Sequence, residues 1–363
     1  MARRAPLGRA AAGEQMTQRA VVVAVDMHDA AHPIEAELSE FEALAEAAGA
    51  RVLDRIVQRR DAVDPATLVG SGKAQEIAER AKELGADLIL VLNDLRPRQR
   101  KNLERIVPLP IVDRTMLVLD VFSRHARSRE GKLQVELAQL RYRQSNLIGI
   151  GADLSRLGGG IGTRGPGETK LEVDRRRIGA RIAALNAQLA AVRRQRAVRR
   201  GSGRREPLVA LVGYTNVGKS SLLNALSRSD ALVADRPFAT LDPTIRQAYL
   251  APGIYVRLAD TVGFITDLPK DLVNAFRATL EELHEADLLL HVLDASNSDW
   301  PRQQRAVEAI LRELDLERTP AIVVFNKCDV PSAVPPPAGA LCVSARTGAG
   351  LDVLRAALIE RIA

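Results

Sequence analysis

Aromatic side chains are scarce: Phe, Tyr and Trp make up 3% of 363 residues, with a single Trp, Trp300. A protein that binds single strands by stacking successive bases needs aromatic faces, so base stacking is not expected here. Cysteine is rarer still. Cys328 and Cys342 are the only two. Neither has a C-x-x-C neighbour or a His cluster, which argues against a zinc site or a redox motif. They read as small apolar fillers in a reducing compartment, and the cytoplasm is the expected location. No apolar run approaches the roughly 20 residues that cross a bilayer. The first twelve residues carry Arg3, Arg4 and Arg9 without the apolar centre of a signal peptide. Residues 1–18 read as a flexible basic tail.

Charge is divided unevenly. Residues 1–206 hold 37 Lys/Arg against 26 Asp/Glu, and residues 207–363 hold 15 against 19. A basic front half suits a polyanionic partner, although a solvated basic surface has the same composition. Between Arg175 and Arg205 there are 11 arginines and no acidic residue. Arginine forks suit bidentate phosphate contact, so RNA backbone and shape are the expected targets. A helical pair with a solvated face would read the same way.

Hydrophobic periodicity divides the chain into four stretches. After the tail, residues 19–120 alternate strands (Val21 to Val25, Arg51 to Arg59, Asp87 to Leu92) with helices (Ile34 to Ala48, Lys73 to Leu84, Pro97 to Ile106), a small α/β domain. Thr115 to Phe122 also reads as helical. Residues 121–206 place Leu133, Leu137 and Leu140 on one helix. Val173, Ile178, Ile182, Leu185, Leu189 and Val192 fall on one stripe of a second. The run Gly158 to Glu168 between them is too glycine-rich for a helix interior. The pattern is a helical hairpin with a glycine-rich tip. Residues 207–363 form the last domain. Gly70-Ser71-Gly72-Lys73 is a turn before a helix that falls short of a phosphate-binding loop, because Thr67 stands where its first glycine belongs.

The chemistry concentrates in the last domain. Gly213-Tyr214-Thr215-Asn216-Val217-Gly218-Lys219-Ser220 is G-x-x-x-x-G-K-S, between an apolar strand and an apolar-periodic helix that opens with Ser221. The glycines let consecutive N–H groups face phosphate oxygens, and the helix N-terminus adds positive charge. Lys219 reaches the β- and γ-phosphates, and Ser220 offers a hydroxyl to Mg²⁺. Phe238-Ala239-Thr240-Leu241-Asp242 lies between this helix and the next strand. Thr240, or alternatively Thr244, is placed to complete the metal shell and sense the γ-phosphate. Asp260-Thr261-Val262-Gly263 is D-x-x-G, its aspartate near Mg²⁺ through water and its glycine N–H at the γ-phosphate. Asn326-Lys327-Cys328-Asp329 is N-K-x-D. The Asp329 carboxylate accepts from guanine N1–H and its 2-amino group, and adenine offers neither donor. Lys327 lays its stem along the base and Asn326 ties this loop to the first. Ser344-Ala345-Arg346 can present a backbone N–H to guanine O6.

Phe264 occupies the position where a Ras-like enzyme uses glutamine to orient the attacking water. Hydrolysis by the isolated chain is therefore expected to be slow and dependent on a partner. The Asn216 amide can ligate a monovalent cation such as K⁺ across the phosphates, or serve only as a loop hydrogen bond. Two other readings remain: an RNA-binding scaffold that keeps GTP or GDP as a structural ligand, and an RNA-remodelling enzyme with an adenine-nucleotide site near Gly72.

With these residues in place, the chain resembles the HflX family of GTPases. The resemblance is carried by Arg129-Glu130-Gly131-Lys132-Leu133-Gln134-Val135-Glu136-Leu137-Ala138-Gln139-Leu140, by Gly158 to Glu172 and by Phe238 to Thr244. It implies a small α/β domain and helical hairpin followed by a Ras-like P-loop domain. It also implies GTP hydrolysis stimulated by the large ribosomal subunit, and in some members the splitting of stalled ribosomes. In the family the hairpin approaches the peptidyl-transferase region. Phe264 is similar to the family pattern, whereas Gln144-Ser145-Asn146 departs from its usual proline-containing form. Many members carry a further small C-terminal domain beyond the point where this sequence stops, Ala363. Nothing in the sequence demands a dimer, and a monomer is expected.

Overall fold

The computed structural model describes residues 17–27, 34–157, 166–199, 206–227, 237–238, 244–265 and 281–362. The chain falls into two compact units, Met1–Arg124 with Glu136–Asn186, and His125–Val135 with Ala187–Ala363.

The first unit is built on four parallel strands, β1 (Gln18–Asp26), β2 (Ala50–Arg59), β3 (Leu88–Val91) and β4 (Ile111–Asp113), in the order β2-β1-β3-β4. Helices α1 (Ile34–Ala47), α2 (Ser71–Leu84), α3 (Pro97–Ile106) and α4 (Arg114–His125) connect and follow them. A parallel strand covered on both faces reads as a continuous apolar run, and Ala20 to Val25 are all buried. Val21, Val23, Ile77, Ala81, Ile89, Val91 and Leu103 share one cluster. Phe41 and Phe122 are fully buried, each contributing about 2–3 kcal/mol of hydrophobic stabilisation. Strand β4 was not foreseen, since three residues are too few for a periodic signal. Arg100, Asp113 and Tyr142 form a buried polar knot: the guanidinium bonds the carboxylate and the Tyr142 hydroxyl, which itself donates to Asp113. Burial and the Asp113 charge push the Tyr142 hydroxyl far above its ordinary pKa, so it stays a donor.

Two long helices follow, α5 (Arg129–Leu157) and α6 (Pro166–Arg199). Helix α5 runs well past Leu140, the last residue of its expected stripe, because Gln144-Ser145-Asn146 contains no proline to stop it. Ser145 and Asn146 satisfy themselves on the carbonyls of Arg141 and Tyr142. Leu133, Leu137, Leu185 and Leu189 are buried as the stripes require, but Val173 is 41% exposed. Arg181 and Glu136 pair across the two helices at 2.7 Å with half-exposed side chains. Of the glycine-rich stretch, residues 158–165 lie outside the described residues, and Pro166-Gly167-Glu168 opens α6. The turn at Gly70 leads directly into α2, where the Lys73 ammonium pairs with Glu76 at 2.6 Å.

The second unit carries six strands: β5 (Leu208–Gly213), β6 (Thr244–Ala251), β7 (Ile254–Asp260), β8 (Leu288–Asp294), β9 (Ala321–Asn326) and β10 (Leu341–Cys342). Their order is β10-β9-β8-β5-β7-β6, parallel except for the antiparallel β6–β7 hairpin. Helices α7 (Lys219–Ser227), α8 (Trp300–Glu313) and α9 (Leu351–Ile362) and a short 3₁₀ turn (Glu281–Glu285) complete the described part. Both central strands, β5 and β8, are buried along their whole length. Among the described residues no helix is long and apolar enough to cross a membrane.

Candidate nucleotide site

In an open parallel sheet the carboxyl ends of the strands form the crevice for a ligand. The four motifs all emerge at that edge. Residues Tyr214–Gly218 join β5 to α7, Asp260 ends β7, Asn326 ends β9, and Ser344 follows β10.

The glycine loop is shaped by close approach. Gly213 has φ +154° and Gly218 φ +89°. A Cβ on Gly213 would strike the Val292 carbonyl, and one on Gly218 would strike the Asn326 amide. Asn216 takes the left-handed conformation at φ 62°, and its side chain lies on the exposed rim. Tyr214, Thr215 and Val217 are buried, and Ser221 follows in the first turn of α7.

Lys219 is folded into this loop, 7% exposed, donating to Tyr214 O at 2.7 Å and Gly213 O at 3.1 Å. Burial pulls its pKa down to about 8, with Asp260 opposing the shift. Ser220 Oγ lies 2.5 Å from Asp260 Oδ2, so the two metal-facing side chains predicted from separate motifs are in contact. Thr261 donates its hydroxyl to Leu211 O at 2.6 Å and Val262 is buried. A Cβ on Gly263 would stand 2.8 Å from Thr215 Cα and 3.0 Å from Lys219 Nζ. Only glycine fits so near the lysine.

Phe264 is zipped to the loop. Thr215 N–H donates to Phe264 O at 2.8 Å, and Phe264 N–H donates to Gly213 O at 3.1 Å. Its ring is 2% exposed and belongs to the core. Phe238 is also buried, at φ 56°. Ala239, Thr240, Leu241 and Asp242 lie outside the described residues, and Thr244, the alternative to Thr240, starts β6.

Asn326 is the joint of the site. It is 2% exposed, its Nδ2 donates to Val217 O at 2.9 Å and its Oδ1 accepts from Ala345 N–H at 3.0 Å. One amide thus fixes the N-K-x-D loop to the glycine loop and to Ser344-Ala345-Arg346. Lys327, at φ 62°, donates to Asn216 O at 2.8 Å and pairs with Asp294 Oδ2 at 2.7 Å. Asp329 Oδ2 pairs with the Arg346 guanidinium at 2.5 Å. The Ser344 hydroxyl, with Arg346, holds the Asp329 carboxyl below its ordinary range. The Ser344 side chain is buried and also accepts from Thr347 N–H at 3.1 Å.

Two participants were not foreseen. Asp294, at the end of β8, anchors Lys327, and no motif names it. His291, opposite Val212 in the β5–β8 ladder, is 3% exposed. Burial, reinforced by the Lys219 charge, pushes its pKa down to about 4 and keeps it neutral. Among strand residues a lone apolar-flanked His carries no signal. The cysteines correct an expectation: both are exposed, not apolar fillers.

Comparison with known proteins supplies the family. Residues 35–123 match the GTP-binding GTPase N-terminal model, 125–202 the GTP-binding GTPase middle region, and 208–327 the 50S ribosome-binding GTPase model. The GTPase HflX of Caldanaerobacter subterraneus subsp. tengcongensis is 48% identical over 348 residues, covering 95% of this chain and 80% of that protein. That of Escherichia coli K12 is 45% identical over 336 residues, covering 90% and 79%. Among solved structures, a crystal structure of SsGBP in complex with GDP matches 94% of this chain and 98% of its own. Its TM-score is 0.50 at 22% identity, a likeness of fold. With close relatives along nearly its whole length and a P-loop domain folded around G-x-x-x-x-G-K-S, this chain is a GTPase of the HflX family.

Proposed function

We propose that the chain is a Mg²⁺-dependent GTP switch of the cytoplasm that acts as a monomer on the large ribosomal subunit, in ribosome splitting, rescue or biogenesis. The observation that supports this reading is the joint at Asn326, whose amide ties the glycine loop to the Asn326–Asp329 and Ser344–Arg346 loops. A purine held there lies between Lys327 and Asp329, with its phosphates on the N–H groups from Asn216 to Ser221. Lys219 changes partners, giving up the carbonyls of Gly213 and Tyr214 for phosphate oxygens. The hard oxygens of Ser220 and Asp260, already in contact, suit Mg²⁺, with Thr240 as the expected third group. When bound, the metal neutralises charge on the β- and γ-phosphates. Gly263 brings its N–H to the γ-phosphate, and Asn216, on the rim, is placed for K⁺.

Phe264 supports dependence on a partner. Its ring is core, so it offers no hydrogen bond to an attacking water. The match of residues 208–327 to a 50S ribosome-binding GTPase model supports the large subunit as partner, and the 11 arginines from Arg175 to Arg205 suit its RNA backbone. GTP turnover should rise at least tenfold with purified large subunits over the isolated chain. Unchanged turnover, with nucleotide still bound, would leave the scaffold reading in its place.

A further inference from the structure

The fold brings the chain's two cysteines together at the base-facing loops. Cys328 is the third residue of Asn326-Lys327-Cys328-Asp329, and Cys342 closes β10 just ahead of Ser344-Ala345-Arg346. In the β9–β10 ladder Cys342 stands opposite Phe325. The Phe325 carbonyl accepts both the Val343 N–H at 2.7 Å and the Cys328 thiol at 3.2 Å. Cys328 N–H returns a bond to Val343 O at 3.1 Å. These bonds set the Cys328 sulfur beside residues 342 and 343, near enough for the Cys342 thiol to raise the pKa of Cys328. Both residues are free and exposed.

We propose that Cys328 and Cys342 form a thiol–disulfide site, oxidised by a peroxide or a small-molecule disulfide, whose closure weakens guanine-nucleotide binding. In the peroxide route the Cys342 thiolate attacks a peroxide oxygen. An S–O bond forms as the O–O bond breaks, and hydrogen peroxide leaves its other oxygen as water. The Cys328 sulfur then attacks the Cys342 sulfur. The S–S bond forms, the S–O bond breaks, and the departing hydroxide takes the Cys328 proton as a second water. Two thiols give up two electrons and two protons to one peroxide. With a small disulfide as oxidant, two exchanges release two small thiols instead.

The order of attack follows from the surroundings. Partial desolvation, the Cys342 thiol and the Asp329 carboxylate push the Cys328 thiol up to about 11, so it is a poor first nucleophile at neutral pH.

The effect on nucleotide rests on the reading that Lys327 and Asp329 hold the base. Cys328 lies between them. A disulfide demands Cα atoms about 4.4–6.8 Å apart and a dihedral near 90°. Closing the bond withdraws the Cys328 sulfur from the Phe325 carbonyl, and in this proposal the loop that carries Lys327 and Asp329 shifts with it.

The test uses the full chain, dilute, treated with hydrogen peroxide and separately with oxidised glutathione. Free thiols, intact mass and linked peptides are measured without nucleotide, and GDP affinity with a fluorescent analogue, before and after dithiothreitol. Both thiols should vanish together, the mass should fall by two hydrogens, and a Cys328–Cys342 peptide should appear. The Kd should rise about tenfold or more and recover on reduction. Cys342→Ser should form no bridge and keep its affinity under the same oxidant. Bridges only between chains, adducts on each sulfur separately, or a bridged protein within about twofold of the reduced Kd would overturn the proposal. The thiol and mass readings do not depend on base recognition. If Asp329→Asn also left guanine preference unchanged, the fault would lie in the assignment of the base-facing loops.

Discussion

Replacing Asn326 with alanine should loosen three loops at once. The side chain is 2% exposed, donates to Val217 O and accepts from Ala345 N–H. Its loss leaves a buried carbonyl and a half-buried N–H without partners. An unsatisfied buried group costs about 1–3 kcal/mol. Water reaches Ala345 more easily than Val217, so the sum is about 2–4 kcal/mol. If half of that appears as misplacement of the base-facing loops, guanine-nucleotide affinity falls about 5- to 30-fold. Urea denaturation of the apoprotein and fluorescent GDP titration separate the two shares. A second substitution sharpens the test. Gly218→Ala drives a methyl into the Asn326 amide and strains a φ of +89°. In the Asn326→Ala background the collision is relieved while the strain stays, so the double variant should be less impaired than the sum of the singles by about 1 kcal/mol or more. Asn326→Ala within about 0.5 kcal/mol and twofold in Kd, or strict additivity with Gly218→Ala, would refute the joint.

Three further outcomes are expected. Lys219 titrates near 8 in the folded chain against an ordinary 10.5. Its charge is therefore a burden on the nucleotide-free fold that is fully present below pH 8 and is relieved as pH rises from 8 to 10.5, about 3 kcal/mol in all. Lys219→Met should lose GTP binding and shed that burden, so its Tm relative to the parent should be highest below pH 8 and fall as pH rises; a flat difference would contradict it. In the parent, phosphate contact restores the lysine charge, so GTP binding should take up a proton above pH 8, seen by calorimetry in buffers of different ionisation enthalpy. Phe264→Gln should cost about 3 kcal/mol of stability by emptying a core position and should not speed intrinsic GTP hydrolysis, because the backbone of residue 264 is tied to Gly213 and Thr215. A large acceleration in single-turnover assays would contradict it.

What could be read from sequence follows the range of the interactions. The glycine loop, D-x-x-G and N-K-x-D are short because a phosphate, a metal and a base edge each need neighbouring backbone groups, and their order along the chain reflects the strand ends. The strand and helix pattern of residues 19–120 was readable because parallel strands and amphipathic helices have different periods. What was hidden depends on pairings between distant segments. Asp294 meets Lys327 only because β8 and β9 are parallel neighbours. Strand β10 has two residues, too few to show a period, yet it sets Cys342 opposite Phe325 and the Val343 carbonyl against Cys328 N–H. Phe264 was seen as a missing glutamine, whereas its larger part in the fold is a buried ring and a backbone zipper to the loop. The length of α5 was hidden for the opposite reason: polar Gln144-Ser145-Asn146 resembles a turn but makes its hydrogen bonds within the helix.

Guanine selection by a single carboxylate can be measured in one exchange. Asp329→Asn swaps an acceptor pair for one donor and one acceptor, which fits xanthine and not guanine. Competition binding of GDP and XDP to the parent and to Asp329→Asn should show preference reversed, with GDP weakened about 100-fold or more and XDP strengthened. A variant that still prefers GDP as strongly as the parent would mean that the base does not lie against Asp329.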